Sequence, residues 1–353
     1  MISRKNIKSK DISFLQKQNC LYISDFRAIS ESMSYSIPAM WKYENLLPWV
    51  LKNENVCVNE GAVELNFRNR NNLIILPHGS NPKISIFKKV SNKIIKEHRI
   101  KELWVAVPHP DADILAKKYN LKLNYTYQTF NILNDKLKQK KLLQDLTPNY
   151  EIIDSIEQII ALKKNNRNGF IKRRHGSGGY TVFKLKNVFD SKFEDLFKKT
   201  PNDWYFEEFA EGEPHSIQCF KTAGLEDIVV FGFTKQHILE ERYFTGSSIY
   251  STDKINEKVW AQLKKSLKNF SSMFKSYEGF FGIDFMIDSK DIILILEANI
   301  RMTAATIPTL ISNDLNTNHS EYREDACIEK NNIRNLILTE DKTNNLSDQL
   351  KLY

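Results

Sequence analysis

Cysteine is scarce: Cys20, Cys57, Cys219 and Cys327 stand apart, with no CxxC spacing and no histidine cluster beside them. That pattern argues against a disulfide framework and against a zinc site. No apolar run reaches the ~18 residues of a membrane-spanning helix, and the mean hydropathy of −0.44 agrees. The opening Met1-Ile2-Ser3-Arg4-Lys5 is basic but leads into no apolar stretch before a small-residue cleavage site, so the cytoplasm is the expected compartment. Glycine is sparse too, and none of it forms the GxGxxG that follows a strand in dinucleotide-binding folds. No low-complexity linker or internal repeat interrupts the chain. Lys and Arg outnumber Asp and Glu by 51 to 43, for a net charge of +8. The two signs are interleaved, so no basic patch is defined and nucleic acid is not expected as a partner, whereas anionic small molecules are compatible.

What is present suits a globular protein of two or three domains, at ~100 to 200 residues each. Up to residue 130 short apolar strands alternate with helical segments. Asn19 to Phe26, Asn72 to Pro77 and Glu102 to Pro108 are strand candidates, and Ile114, Leu115 and Tyr119 have helical spacing over Asp111 to Tyr119. An open α/β sheet is expected there. Asn134 and Asp135 can cap a helix through Leu146, and Asp154 with Glu157 resembles a capping box for a helix through Lys164, with a strand at Tyr150 to Ile153 between them. Gly169 to Arg174 and Tyr180 to Lys186 read as a hairpin around the tract His175 to Gly179, followed by a helix carrying Phe189, Phe193, Leu196 and Phe197. Strands then dominate: Trp204 to Ala210, Ser216 to Thr222 and Asp227 to Thr234. An amphipathic helix with Ile255, Val259, Leu263, Leu267, Phe270 and Phe274 on one face follows. Gly279 to Ile287 and Asp291 to Ala298 make a second hairpin, and the polar tail holds Ile328, Ile333, Leu336 and Ile337 at the spacing of one more helix.

Three places carry candidate chemistry. Gly176, Ser177, Gly178 and Gly179 can expose backbone amides to phosphate oxygens, with Lys172 four residues before Gly176, although an ordinary surface hairpin has the same composition. Near residue 290, a loop of Asp288 to Asp291 would pair Ile287 with Ile292. Asp284 would then face Ile295, with Glu297 two residues further on the same face. The two carboxylates and Asn299 suit a hard cation such as Mg²⁺ that also bridges substrate phosphates; isolated strand-edge charges are the alternative. Arg301 follows, suited to a phosphoryl group or a carboxylate. Glu207 and Glu208, before Phe209, Ala210 and Gly212, end a strand where backbone and carboxylate can meet an adenine amino group. Glu240 to Ser251, with Arg242, Tyr243 and Phe244, reads as an acceptor loop or an ordinary surface loop.

In chain order these pieces resemble the ATP-grasp superfamily over roughly residues 131 to 315, its biotin-carboxylase-like and amino-acid-ligase branches in particular. Asp135-Lys136 is similar to the Asp-Lys pair that opens the nucleotide domain, with Lys140 as a weaker substitute. Lys172 before Gly176 to Gly179 resembles the second Lys and lid loop, and Glu207-Glu208-Phe209-Ala210 the adenine hinge. Pro214 stands where many members have a ribose carboxylate, with His215 beside it, and Lys235 resembles the third basic residue on the triphosphate. Gly282-Ile283-Asp284-Phe285-Met286 followed by Glu297-Ala298-Asn299-Ile300-Arg301 looks like the metal signature, with Ile300 in place of Pro.

The resemblance implies an α/β and α+β architecture: a preATP-grasp domain (1–130), a lid (about 147–203) and a central antiparallel nucleotide-binding sheet (about 204–320), the latter two forming an ATP-grasp domain (131–320). A polar segment (321–353) would follow. It implies an ADP-forming carboxylate-amine ligase that makes an acylphosphate from ATP with Mg²⁺ or Mn²⁺. Lys136, Lys172 and Lys235 would offset phosphate charge, and Asp284, Glu297 and Asn299 would hold metal. Arg301 and Lys172 would act in catalysis. Small-molecule carboxylates and amines would be the partners, and a homodimer is compatible. No Met-Lys-Met biotin-carrier segment occurs, so a carboxylase would need a separate carrier. A non-catalytic ATP-binding protein of the same fold is the other reading.

Overall fold

The structure is a computed structural model that describes residues 1–25, 50–51, 55–59, 73–76, 85–176, 179, 181–189, 191–222, 227–274, 277–317 and 319–323. The helix expected around Ile328 to Ile337 lies outside these residues, as do Ser177 and Gly178. Among the described residues no helix is long and apolar enough to cross a membrane.

The chain opens on β1 (Ile2–Arg4). Strands β2 (Cys20–Ile23), β3 (Asn55–Asn59), β4 (Leu73–Leu76), β5 (Glu102–Val105) and β6 (Lys122–Leu123) form a parallel sheet in the order β4-β3-β2-β5-β6. Parallel sheets are buried on both faces, and the alternation along β2 and β5 shows it: Leu21, Ile23, Leu103 and Val105 face one core. Cys20, Tyr22 and Trp104 face another, which is continuous with the core of the central sheet. There Phe14 stacks on Trp104 at 5.9 Å and meets Phe280 edge-on at 5.1 Å. Helix α1 (Pro110–Tyr119) starts with Pro in its first turn and stops at Asn120, whose left-handed backbone cannot continue a helix.

After α2 (Tyr127–Leu133), Asp135 caps α3 (Lys136–Leu143) by accepting the Lys138 N–H at 3.2 Å. The helix ends at Leu143, short of the expected Leu146, because Gln144 takes a positive φ of 49°. The lid sheet contains β7 (Tyr150–Ile153), β8 (Gly169–Arg173), β9 (Val182–Lys184) and β10 (Trp204–Glu208) in the order β7-β10-β8-β9. Helices α4 (Ile156–Lys164) and α5 (Ser191–Lys199) cover it. The capping box of α4 is Ser155 with Gln158, one residue beyond the expected Asp154 and Glu157. Strand β10, expected in the central sheet, pairs with β7 and β8 in the lid. Trp204 and Phe206 point into the lid core with Ile171, Phe183 and Phe193. Tyr205, Glu207 and the neighbouring Lys172 therefore point to the opposite face.

The central antiparallel sheet has β11 (Glu213–Lys221), β12 (Ile228–Leu239), β13 (Tyr243–Tyr250), β14 (Gly279–Ile287), β15 (Ile293–Asn299) and β16 (His319–Arg323), ordered β15-β14-β11-β12-β13-β16. Strand β1 joins it, Ile2 lying parallel and opposite Ile228, so the first residues belong to this sheet although they precede the N-terminal one. Helix α6 (Glu257–Ser271) buries Val259, Leu263, Leu267 and Phe270 against one face, and α7 (Thr306–Asp314) packs on the other. Glu240 to Ser251, expected as a loop, is mostly strand β13.

Candidate active site

Strands β14 and β15 bring two carboxylates together by a register other than the expected one. Ile287 pairs with Ile293 and Phe285 with Ile295; the ladder then bulges, and Asp284 lies directly opposite Glu297. Leu296 is the extra residue of the bulge. The hairpin loop is one residue longer than expected because Asp288 Oδ1 accepts the amides of Lys290 and Ile292, both at 2.8 Å. Asn299 donates its amide nitrogen to Asp284 at 2.9 Å and to Glu297 at 3.2 Å, while its Oδ1 accepts from Arg301 Nη2 at 3.0 Å. The second guanidinium arm of Arg301 reaches Met302 O at 3.0 Å. All four residues of the expected metal signature thus meet.

Helix α3 closes the anionic pair from the side. Lys136 Nζ lies 2.7 Å from Glu297 and is buried. Gln139, one turn on and 1% exposed, clamps the next strand residue: its Oε1 accepts the Ala298 N–H at 2.9 Å and its Nε2 donates to Ala298 O at 2.7 Å. Asn134 Oδ1 accepts the Ile300 N–H at 2.9 Å, and Met302 N–H reaches Ala106 O, just past the end of β5, at 3.1 Å. The segment carrying Glu297, Asn299 and Arg301 is therefore held by the N-terminal domain and by α3 together. Neither Gln139 nor Asn134 stood out as a site residue in the sequence. The signal was a helix, Lys136–Leu143, with few apolar residues to bury, so that its inner face had to be polar.

The lid face opposite carries a second cluster. Lys172 and Lys140 both pair with Glu207, one on each carboxylate oxygen, and all three are shielded from solvent. Lys140 also donates to Thr147 Oγ1 at 2.9 Å. The structure thus separates the two lysines that the sequence offered for one role: Lys136 pairs with Glu297 and Lys140 with Glu207. Glu208 points the other way, to Arg167 at 2.6 Å and Asn149 at 2.7 Å. Phe209 is half-exposed beside Phe170, and Ala210 is buried. Between lid and sheet, Gly179 has a φ of 77° and sits so close to the β12–β13 turn that a Cβ would lie 1.7 Å from Arg242 O. Gly176 is equally tight against Thr181 Oγ1. Arg242 Nη1 reaches Val182 O at 3.3 Å and Lys184 pairs with Glu241, so the lid rests on that turn.

Two expected residues are not brought together with the rest. Asp284 lies in the row Asp284, Ser216, Thr234, whereas His215 and Lys235 lie in the adjacent row with Phe285. Successive strand residues point to opposite faces, so both side chains leave the carboxylate face. His215 stacks on Phe233 at 5.1 Å, and Lys235 pairs with Glu213 at 2.6 Å. Gln236, the next residue, takes the inner place and donates to Asp284 at 3.0 Å.

The electrostatics follow from burial and neighbours. Burial, followed by the adjacent Glu297 charge, pushes the Asp284 carboxyl up to about 7. Burial also opposes ionisation of Glu297 and Glu207, yet Lys136 holds the first, and Lys140 with Lys172 the second, below the usual carboxylate range. Among the described residues no three His, Cys, Asp or Glu side chains gather as a metal cage. Two carboxylates with a carboxamide between them fit a Mg²⁺-like cation that takes its remaining ligands from substrate oxygens and water. The Asn299 amide nitrogen now bridges the two carboxylates, a place suited to positive charge.

Residues 133–305 match the ATP-grasp domain. No curated protein matches the chain in sequence. Among solved structures the chain is similar to biotin carboxylase from Campylobacter jejuni in complex with β,γ-ATP, with a TM-score of 0.59 at 12% identity over 83% of this chain and 67% of that one. It is also similar to the L-amino acid ligase of Bacillus licheniformis, with a TM-score of 0.51 at 15% identity over 82% and 68%. N5-carboxyaminoimidazole synthase of Aspergillus clavatus in complex with ADP gives 0.52 at 12% identity over 82% and 71%. Residues 133–305 of this chain belong to the ATP-grasp family, and the chain carries the ATP-grasp fold.

Proposed function

We propose that the protein is an ATP-dependent, ADP-forming ligase that activates a small carboxylate as an acylphosphate and joins it to an amine, an amino acid or a small peptide or metabolite. The observation that carries this reading is the pairing of Asp284 with Glu297, flanked by Lys136 and Asn299 and facing the Lys172–Glu207 pair of the lid. Such a site combines anionic ligands for a divalent cation with buried ammonium groups for phosphates, and phosphoryl transfer needs chiefly positioning and charge neutralisation. Names of structural neighbours support it: one is an L-amino acid ligase, and others are bound to ATP-type ligands or ADP.

In this reading Glu207 and the backbone of Glu208, Phe209 and Ala210 line the adenine end, while Lys172, Gly176 and Gly179 reach the phosphates. Asp284, Glu297 and Asn299 would hold Mg²⁺ or Mn²⁺, which supplies charge neutralisation to the phosphates. Lys136 sets the charge of Glu297. Arg301, fixed by Asn299 and Met302 O, holds the substrate carboxylate in line for attack on the γ-phosphate or steadies the acylphosphate. The lid, resting on the β12–β13 turn, excludes water that would hydrolyse that intermediate. Glu297→Gln should lower ADP formation by orders of magnitude in a folded protein; undiminished turnover would remove the hairpin from the mechanism.

A further inference from the structure

Lysine is almost never fully buried unless paired, yet Lys140 is 1% exposed. Its ammonium group is enclosed: Glu207 Oε2 lies beside it as an ion-pair partner, Thr147 Oγ1 accepts its hydrogen bond at 2.9 Å, and the rings of Tyr150 and Tyr205 lie 5.7 and 5.6 Å away. Glu207 is equally buried and holds Lys172 on its other oxygen. Two lysines thus share one carboxylate; burial lowers the Lys140 pKa, and the Glu207 charge opposes that fall. Lys172 is the more exposed of the two and stands on strand β8 before Gly176, whereas Lys140 projects from α3 into its contact with the lid.

We propose that Lys140 is a positioning residue, a fixed counter-ion that keeps Glu207 neutralised when Lys172 leaves it for a nucleotide phosphate. The proposal rests on the nucleotide role of Lys172 given above. A buried carboxylate stripped of its sole cation is strongly destabilising, so a lone Lys172–Glu207 pair would lock Lys172 in place. With Lys140 on the second oxygen, departure of Lys172 leaves a balanced pair behind. The free protein then stores Lys172 close to the phosphate path and releases it without leaving an unpaired buried charge.

A double-mutant cycle on the full chain tests this, reading MgATP affinity by calorimetry and folding by thermal melting. Lys140→Met should weaken MgATP binding by roughly tenfold or more. In the Glu207→Gln background, where no carboxylate remains to hold Lys172, the same change should move affinity by less than about threefold. Lys140→Arg, which keeps the charge, should stay near wild type. Equal losses in both backgrounds, or no loss at Lys140→Met, overturn the proposal. Should Lys140→Met not fold, ammonium ¹⁵N NMR of the unaltered protein decides: MgATP should shift the Lys172 signal and leave the Lys140 signal in place. Movement of Lys140 overturns the counter-ion role. Undiminished MgATP binding by Lys172→Met shows instead that the nucleotide reading of Lys172 has failed.

Discussion

Replacing Asp284 by Asn should stabilise the metal-free protein while disabling the metal-loaded one. Burial and the opposing Glu297 raise the Asp284 carboxyl from an ordinary value near 4 to about 7. Between those values the folded chain holds a proton that the unfolded chain has lost, so stability falls as pH rises through the window and is flat on either side. At about 1.4 kcal/mol per pH unit, the ionised side chain acts against the fold by at most about 4 kcal/mol above pH 7. Partial solvent access lowers this, and an amide at 284 can accept from only one of its two donors, Gln236 and Asn299, a further loss of about 1 kcal/mol. The net gain should be about 2 kcal/mol at pH 8 and near zero at pH 5, or several degrees in melting temperature at the alkaline end. Differential scanning fluorimetry with a chelator across pH 5 to 9 reads it directly. Adding Mg²⁺ should stabilise wild type and leave Asp284→Asn unmoved. A variant that melts lower than wild type at pH 8, or a gain that does not depend on pH, would refute the charge-repulsion argument.

Lys235→Ala should change MgATP affinity by less than about threefold, because the side chain points to the sheet face away from Asp284; a loss of a hundredfold in a binding titration would return it to the site. Gln139→Leu removes both clamps on Ala298 and leaves that backbone unpaired, so it should destabilise by about 1–3 kcal/mol, with Mg²⁺ affinity falling as Glu297 and Asn299 lose their support. Chemical denaturation and Mg²⁺ titration check the two parts. The β12–β13 turn places Glu240 and Glu241 at φ of 52° and 60°, with Leu239 O accepting the Arg242 N–H at 3.1 Å. Glu240→Asn with Glu241→Gly suits those angles and, after loss of the exposed Lys184–Glu241 pair, should raise stability by about 1 kcal/mol in a melting experiment.

The long helix and the Asp284–Glu297 hairpin of the central domain were legible because their periodicity is strong, whereas β13, expected as a loop, and α7 and β16 were not. Val259, Leu263, Leu267 and Phe270 repeat at helical spacing and are buried as a stripe, and the apolar strands around Asp284 and Glu297 announce a hairpin. What the residues could not give was parity and register. The bulge at Leu296 sets Asp284 against Glu297, and it depends on the Asp288 side chain closing a longer loop, a tertiary choice among near-equal pairings. Parity likewise decides between Lys235 and Gln236: a basic residue next to a strand end looks apt, but one step along the strand reverses the face. The α4 cap shifted by one residue because Ser155 and Gln158 compete with Asp154 and Glu157 for the same amides, and both pairs have suitable chemistry. Gln139, and the pairing of Lys140 with Glu207, were hidden for a different reason. A polar residue on a short helix reads as solvated until the partner surface, here the lid and the Glu297 strand, is known.

The reaction proposed for this site is activation of a carboxylate by ATP through an acylphosphate. Its most direct test is chromatography of nucleotide products after incubation with MgATP, pooled small carboxylates and amino acids, and hydroxylamine as a general amine. The expected products are ADP and a hydroxamate, both dependent on one carboxylate pool and both lost in Glu297→Gln. AMP as the product, or ADP formed equally well by Glu297→Gln, would contradict it.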